Sequence, residues 1–197
     1  MRKIIIALLL ITGFVLHIKA QEKVKIDIEK SVIKWSGSYS FDFGGHEGTV
    51  KIKDGELTKT NGRISAGQFI IDMNTIVNTD DYSQDLIDHL KSDDFFDVKN
   101  HPTAKLVINR VKYHDPNNTK FSKQIYIRIN GDLTIKGIRQ PVMFEAEIDP
   151  GQTNILAKLK IDRTLWNVSF KSKSISASIK DGIISDAIEF RISLRIN

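Results

Sequence analysis

Polar and apolar residues alternate with a period of two along most of the chain, which is the pattern of strands that bury one face and expose the other. The clearest run spans residues 125–135, and its apolar face carries Ile125, Ile127, Ile129, Leu133 and Ile135. The last residues of the chain repeat the pattern, and their apolar face carries Ile188, Phe190, Ile192 and Leu194. Both segments are therefore predicted to be half-buried strands.

Further runs show the same alternation, and short turn sequences separate them. The runs span residues 24–28, 33–39, 48–53, 63–73, 104–111, 142–148 and 155–161. The turn signals are rich in Gly, Pro, Asn and Asp, and they lie at residues 54–55, 61–62, 115–118, 149–151 and 181–182. The sequence therefore predicts eight or nine strands in a single domain.

A set of strands that each bury one face needs closure, because an open sheet leaves two edges on which other chains can pair. A closed antiparallel barrel removes both edges and places the apolar faces inside. Barrels of about eight strands have an interior that is filled by side chains or that holds one small ligand. We therefore predict an all-β fold, a closed antiparallel barrel of about eight strands with an apolar lumen.

One segment departs from the strand pattern. From residue 79 to residue 91, apolar residues recur at positions 82, 86 and 90, which is a helical spacing. Asp80 and Asp81 are predicted to provide the N-cap and the negative charge of the first turn. The sequence thus predicts one short amphipathic helix, around residues 80–91, packed on the barrel.

The first 20 residues have the order of a secretory signal peptide. Arg2 and Lys3 precede an apolar run at residues 4–16, and the small residue Ala20 precedes the polar segment. The alternative is a membrane anchor, but this run is shorter than the about 20 residues that cross a bilayer. We therefore predict a signal peptide at residues 1–20, a domain at residues 21–197, and a periplasmic or secreted location.

Charge and composition exclude several classes of protein. The chain carries 29 basic and 24 acidic residues, and loss of Arg2, Lys3 and Lys19 with the leader would lower the net charge from +5 to +2. A nucleic-acid binder needs a concentrated basic surface, so we expect no nucleic-acid partner. The chain has no cysteine, which excludes disulfides, a thiol nucleophile and cysteine-ligated metals.

Several motifs in combination resemble the YceI-like family. The first lies at residues 89–104, where the predicted helix ends at Leu90 and is followed by Phe95-Phe96 and then by Pro102. The other motifs are residues 131–137 with Gln140-Pro141-Val142, residues 162–168 with Asp186, Trp35-Ser36-Gly37, and residues 46–49. The resemblance covers about residues 28–196 and is to a secreted subgroup, although residues 170–174 lack the tyrosine-glycine pair that is frequent there.

The resemblance implies a lipocalin-like barrel whose elongated lumen binds a polyisoprenoid or similar amphiphilic lipid. The expected function is therefore lipid transport, storage or sequestration without catalysis. We also expect the protein to bind no cofactor and no metal. An isoprenoid or other long-chain lipid is the expected partner, with no stable membrane insertion, and a homodimer is a further expectation.

The strand alternation, together with the aromatic pair, predicts which residues face the lumen. They are Trp35, Phe69, Ile71, Met73, Phe95, Phe96, Leu106, Ile108, Ile127, Ile129, Leu133, Val142, Phe144, Leu159 and Phe190. The two consecutive phenylalanines have two interpretations, a plug at one end of the barrel or a part of the wall. Charged residues at alternate positions, such as Lys105, Arg128 and Glu145, are predicted to point outward.

Polar residues offer weaker candidates. His46, His89, His101 and His114 lack the spacing of a zinc site, and we expect His101 to mark a strand entry and His46 the barrel mouth. We expect the aspartate-rich segment 80–97 to be a solvated acidic face. Between residues 158 and 180 basic residues dominate, and the candidates for head-group contacts are His46, Arg163, Lys171 and Lys173. The alternative for this basic segment is a solvated loop with Trp166 packed beneath it, and charge runs favour that alternative.

Two other hypotheses come from different classes of function. In one, a hydrolase or isomerase acts on a lipid through His46 or His101 paired with an aspartate that faces the lumen. In the other, side chains fill the lumen and the barrel binds a partner on its surface. Lumen volume separates a carrier from a filled barrel, because ligand pockets measure about 300–1,000 Å³.

Overall fold

The structure is a computed structural model, and it describes residues 20–41, 43–114, 124–173 and 182–197. Apart from Ala20, the predicted signal peptide lies outside the described residues, as do the predicted turn at residues 115–118 and Asp181.

The fold is a closed barrel of eight antiparallel strands. The strands are β1 (Gln21–Tyr39), β2 (Gly45–Thr60), β3 (Arg63–Asn78), β4 (Thr103–Tyr113), β5 (Ile125–Ile135), β6 (Ile138–Ile148), β7 (Asn154–Asp162) and β8 (Ile184–Ile196). Each strand pairs with the next along the chain, and β8 pairs with β1 to close the barrel. One helix, α1 (Gln84–Lys91), connects β3 to β4, and a 3-10 helix, Arg163–Trp166, follows β7. The predicted fold class is confirmed.

Alternation places the core inside the barrel. In β5 the residues at positions 127, 129, 131, 133 and 135 are buried, while those at positions 128, 130, 132 and 134 are partly exposed. Lys105 and Glu145, which were predicted to point outward, are exposed, and Arg128 is partly exposed and forms a salt bridge with Glu145. A shift of one residue in register would bury such charges, so the apolar pattern fixes the register.

The first two predicted strands are one strand. β1 runs without a break through residues 21–39, and an irregularity between Asp27 and Val32 shifts its register against β8. At this irregularity the Ser31 hydroxyl donates a hydrogen bond to the carbonyl oxygen of Asp27 at 2.7 Å. The polar residues that appeared to separate two strands therefore form a bulge.

The two Asx-Gly signals near β2 have different outcomes. Asn61 and Gly62 both have positive φ angles, 53° and 74°, and they form the tight turn between β2 and β3 as predicted. The predicted turn at Asp54-Gly55 is wrong, because both residues lie within β2. A Cβ atom on Gly55 would lie 2.7 Å from side-chain atoms of Ile26 and of Phe69, so close packing requires the glycine here.

The helix begins later than predicted. Ser83, not Asp80 or Asp81, is the N-cap, and its hydroxyl accepts a hydrogen bond from the backbone N–H of Leu86 at 3.3 Å. The predicted apolar position Tyr82 is exposed and has a positive φ angle, 56°, so the helix cannot include it. Leu90 is buried, as the helical spacing predicted.

Two neighbouring strand pairs are hydrogen-bonded along only part of their length. β3 and β4 pair at residues 67–72 and 103–108, and the connection that contains α1 lies beyond this region. β6 and β7 pair only at residues 145–148 and 155–158. Trp166, at the end of the 3-10 helix, is buried, and its indole N–H donates a hydrogen bond to the carbonyl oxygen of Leu133 at 3.1 Å.

Candidate functional site

The barrel encloses a cavity of about 150 Å³. All eight strands contribute side chains to its wall, together with Leu90 of α1 and the pair Phe95-Phe96. Among the described residues of this wall, Arg163 is charged and Ser185 carries a hydroxyl group. The other lining residues are aliphatic, aromatic, methionine or glycine. The site is thus an apolar compartment with very few groups that could bind a polar ligand.

Every residue predicted to face the lumen lines this cavity except Val142, which is half-buried opposite Gly131. The structure adds lining residues that the prediction omitted, among them Ile33, Ile155 and Ile188. Each of these lies in a run whose alternation was recognised, so extending the same pattern would have found them. Whether the lining residues bind a ligand stays a prediction.

Phe95 and Phe96 belong to the connection between α1 and β4. Their rings meet edge to face with centroids 5.0 Å apart, and both are buried. The segment is compact because the backbone N–H groups of Phe96 and Val98 donate hydrogen bonds to the carbonyl oxygens of Leu90 and Lys91. Both rings line the cavity, so they form part of its wall.

Arg163 is buried in the cavity wall. Its guanidinium donates hydrogen bonds to the carbonyl oxygens of Val168 at 2.7 Å, Ser185 at 3.0 Å and Ile184 at 3.2 Å. Asp186 lies 3.4 Å away, and burial lowers the pKa of the guanidinium from its usual value although this carboxylate acts in the opposite direction. The preferred interpretation of a solvated basic loop is therefore wrong for Arg163, whose donors bind the backbone.

A groove of about 490 Å³ lies beside the cavity, at the end of the barrel where β1 ends and β2 and β8 begin, and we call it the mouth groove. Its wall includes His46 and His89, and it shares Gly37 and Ile184 with the cavity. Lys171 also lines this groove. His46 lies in this groove, and its position at the opening of the barrel stays a prediction.

The lysine candidates lie on the surface near the mouth. Lys171 and Lys173 are exposed, and the Nζ of Lys173 lies 5.6 Å from the centroid of the Phe41 ring. His46, Lys171 and Lys173 are therefore near the mouth, whereas Arg163 is in the wall of the cavity. Contacts of any of the four with a head group stay a prediction.

A histidine and two carboxylates come together beside the mouth groove. The Nδ1 of His46 lies 2.9 Å from an oxygen of Asp80, and one ligand atom each of His46, Asp80 and Asp81 lie within 4.8 Å of one another. Within the described ranges this is the one group of such residues that could hold a metal ion. Asn78 donates hydrogen bonds to both carboxylates, so these oxygens already have partners. The expectation of a metal-free protein stays a prediction.

Hydrogen bonds also set the protonation of Asp80. Partial burial alone would raise the pKa of this carboxyl, but hydrogen bonds from His46 and from the backbone N–H groups of residues 80 and 81 bring its pKa below the usual value. Asp80 is therefore an acceptor that holds the loop before α1 against the β1–β2 end of the barrel.

The catalytic hypothesis requires a His–Asp pair that faces the lumen. The pair His46–Asp80 lies beside the mouth, and the pair His101–Asp97 has an N–O distance of 3.8 Å just before β4. None of these four residues lines the cavity. In the part of the chain that the structure describes, no acid–base pair is placed to act on a molecule inside the barrel.

Comparison of the sequence with known families identifies the fold family. Residues 24–196 match the profile of the YceI-like domain. The chain belongs to the YceI-like family. The resemblance found in the sequence motifs is therefore confirmed over nearly the whole described chain.

The relatives of this YceI-like chain include UPF0312 proteins of Pseudomonas putida. Those of strains W619 and GB-1 are each 28% identical over 127 residues. The matched region covers 64% of this chain and 61% of each relative, so the chain spans less than two thirds of the length of these relatives.

Solved structures share the barrel. Burkholderia cenocepacia BcnA superposes with a TM-score of 0.66 at 19% identity, over 87% of this chain and 99% of BcnA. A polyisoprenoid-binding domain from Saccharophagus degradans, implicated in plant cell wall breakdown, gives a TM-score of 0.60 at 12% identity, over 91% of this chain and 98% of that domain. At these identities the similarity shows the fold. Among the described residues, no helix has the length and hydropathy of a membrane span.

Proposed function

We propose that this YceI-like protein binds one chain of a polyisoprenoid or a similar amphiphilic lipid in the barrel lumen. The observation that carries the proposal is the cavity in the barrel, whose described wall is apolar apart from Arg163, Ser185 and the indole N–H of Trp35. Such a wall offers little to a polar ligand and suits an apolar chain. Two comparisons support the same ligand class. The chain belongs to the YceI-like family, and its barrel is similar to that of a polyisoprenoid-binding domain.

The size of the cavity restricts the shape of the ligand. Its volume of about 150 Å³ is below the range of about 300–1,000 Å³ that is usual for ligand pockets. A slender chain that lies along the lumen fits this space better than a bulky ring system. The small volume also favours the second candidate function, a filled barrel that binds a partner on its surface, and the experiment below separates the two.

The energy of binding would be distributed along the wall. Each CH₂ group removed from water contributes about 0.8 kcal/mol, so about ten such groups give about 8 kcal/mol. Association itself costs about 4–15 kcal/mol, so only a long chain binds tightly without polar contacts. About ten CH₂ groups exceed a volume of about 150 Å³, so the proposal requires the lumen to widen as a long chain enters. We place no catalytic step in the lumen, because the nearest His–Asp pairs lie outside the cavity wall.

The proposed location is the periplasm or the exterior of a bacterial cell. The support is the basic, apolar and small-residue order of residues 1–20. Mature protein from its native host should begin near Gln21, and soluble exported protein that retains Met1 would contradict the proposal.

The test of the ligand is organic extraction of protein purified from the native host, followed by mass spectrometry. A long-chain lipid at about one equivalent supports the carrier, and lipid-free protein that also takes up none from solution supports the filled barrel. The variants Ala104→Leu and Ala157→Leu add bulk at two positions of the cavity wall, and Leu156→Phe adds bulk at an exposed neighbour. The two wall variants should carry shorter lipids or less lipid, whereas the exposed variant should match the wild type.

Circular dichroism of each variant establishes that it is folded. Ile129→Trp narrows the lumen further and serves as a stronger version of the same test. Unchanged lipid content in every folded wall variant would show that the ligand lies elsewhere.

A further inference from the structure

Large aromatic side chains are exposed at the mouth of the barrel. Phe41 and Phe43 lie in the loop between β1 and β2 and are 67% and 102% exposed, and Tyr82, just before α1, is 76% exposed. Soluble proteins seldom expose large apolar groups together, and such groups mark sites that contact a protein or a membrane. Aromatic residues are also the residue type that concentrates at the boundary between water and lipid.

These aromatic side chains are on loops that adjoin the opening of the cavity. The loop of Phe41 and Phe43 begins after Tyr39 and ends at Gly45, and both of these residues line the mouth groove. The contact between His46 and Asp80 joins this loop region to the segment that carries Tyr82. The exposed rings therefore lie on loops at the end of the barrel that carries the mouth groove.

Positive charge lies next to the rings. Lys171 lines the mouth groove, and Lys173 stacks its ammonium against the ring of Phe41. Two carboxylates near this end of the barrel have partners within the protein, since Asp80 binds His46 and Asp81 accepts a hydrogen bond from Asn78. The exposed lysine ammonium groups are complementary to anionic phospholipid head groups.

We propose that this end of the barrel docks on an anionic phospholipid bilayer, with Phe41, Phe43 and Tyr82 inserted at the head-group level and Lys171 and Lys173 on lipid phosphates. The proposal rests on the proposed function, because a carrier of a long-chain lipid must collect or deliver its ligand at a membrane. Docking by the mouth lets the chain pass between bilayer and cavity without crossing water. The attachment is peripheral and reversible, since it uses a few side chains and no spanning segment.

The test is co-sedimentation of the mature chain, which begins near Gln21, with vesicles of phosphatidylcholine and phosphatidylglycerol in equal amounts. The double variant Phe41→Ser with Phe43→Ser should lower the partition coefficient by about tenfold or more, because two large apolar groups no longer enter the interface. A matched control, Tyr126→Ser with Leu156→Ser, removes two side chains that are about half exposed on the side of the barrel. This control should bind vesicles as the wild type does.

Two further measurements separate insertion from charge attraction. Lys171→Gln with Lys173→Gln should weaken binding to the anionic vesicles by about fivefold for each lysine and leave the weak binding to pure phosphatidylcholine unchanged. Phe43→Trp should show a blue shift of its added fluorescence when anionic vesicles are present, because the indole leaves water. An indole that stays in water would overturn the proposal.

Other outcomes also overturn it. If the wild-type protein does not sediment with the vesicles, it has no docking surface for lipid. If the control Tyr126→Ser with Leu156→Ser loses as much binding as the mouth variant Phe41→Ser with Phe43→Ser, the contact with lipid lies elsewhere. If the aromatic patch instead pairs two copies of this chain, the wild type should sediment as a dimer and bind no vesicles. The mouth variant should then sediment as a monomer.

Lipid extracted from the same preparations distinguishes this proposal from the lumen proposal. Protein that carries a long-chain lipid but never binds vesicles refutes docking alone. Protein that binds vesicles through its mouth but holds no lipid refutes the carrier function alone. The mouth variant should retain its bound lipid, because none of the substituted residues lines the cavity.

Discussion

Replacement of Arg163 by methionine would test whether this buried cation supports the fold. Methionine keeps most of the length of the side chain and its contact with the cavity wall, but it has no hydrogen-bond donor. The carbonyl oxygens of Val168, Ile184 and Ser185 would then lose their donors inside the protein. The link between the segment after β7 and the start of β8 would be lost.

The expected loss of stability follows from these contacts. A buried polar group left without a partner costs about 1–3 kcal/mol, and loss of one member of a buried ion pair costs about 3–5 kcal/mol. The side chain of Asp186 is 30% exposed, but the oxygen that faces Arg163 is buried, so water relieves only part of the cost, and we place it at about 4 kcal/mol, within the range of about 3–5 kcal/mol for a broken buried pair. We therefore expect Arg163→Met to lower the free energy of unfolding by about 4 kcal/mol, a large part of the about 5–15 kcal/mol typical of a domain.

Urea unfolding followed by circular dichroism measures this loss. With a slope of about 2 kcal/mol per molar urea, the midpoint should fall by about 2 M. Asp186→Asn is the matched control and should shift the midpoint less, because it leaves every guanidinium hydrogen bond to the backbone intact. An Arg163→Met midpoint no lower than that of Asp186→Asn would refute the assignment. If Arg163→Lys is folded, it should keep its bound lipid. If Arg163 instead contacted a lipid head group, this variant would lose lipid without a change in its urea midpoint.

Three further predictions concern single positions. Asp149 accepts hydrogen bonds from residues 153–154 that hold its pKa below the usual value against the effect of burial. Its ionised form therefore stabilises the fold above about pH 4, and this contribution is lost as the pH falls through the lowered pKa, so Asp149→Asn should lose less stability than the wild type between neutral and acid pH. Gly48→Ala should lower the midpoint of thermal unfolding by several degrees, because a Cβ atom there would lie 1.9 Å from the carbonyl oxygen of Val77. Burial raises the pKa of the Tyr113 hydroxyl, so in an absorbance titration the ionisation that is missing in Tyr113→Phe should lie above the usual pKa of a tyrosine, about 10.

The strands could be predicted wherever one face alternates without interruption. The bounds of β5 match the predicted run residue for residue. Buried and partly exposed positions alternate through residue 135, and β4 and β6 form hydrogen bonds with its two edges. At Asp54-Gly55 the local turn signal was overridden by packing, since Gly55 is there to make room for Ile26 and Phe69. A two-residue signal cannot show which side chains approach it from other strands.

The cavity wall could largely be predicted, but the role of its one charged residue could not. Alternation within each strand indicates which side chains point inward, and closure brings those faces together. Arg163 has the sequence context of an exposed basic loop, and its burial depends on three carbonyl groups supplied by residues 168, 184 and 185. Likewise, the meeting of His46 with Asp80 depends on two loops that are distant in sequence. Such contacts follow from the closed barrel and leave no local pattern.

The pairing of β1 with β8 has a consequence for the order in which the chain folds. Every other neighbouring pair joins strands that are consecutive, so hairpins such as β2–β3 and β5–β6 can form from local contacts. The ring closes only when the last strand reaches the first, which is a contact between opposite ends of the chain and a slow step. Until that contact forms, both strands present open edges that can pair with another unfinished molecule. The interval before closure is therefore when this barrel is most prone to aggregate, and substitutions that delay β8 would reduce the yield of folded protein more than its final stability.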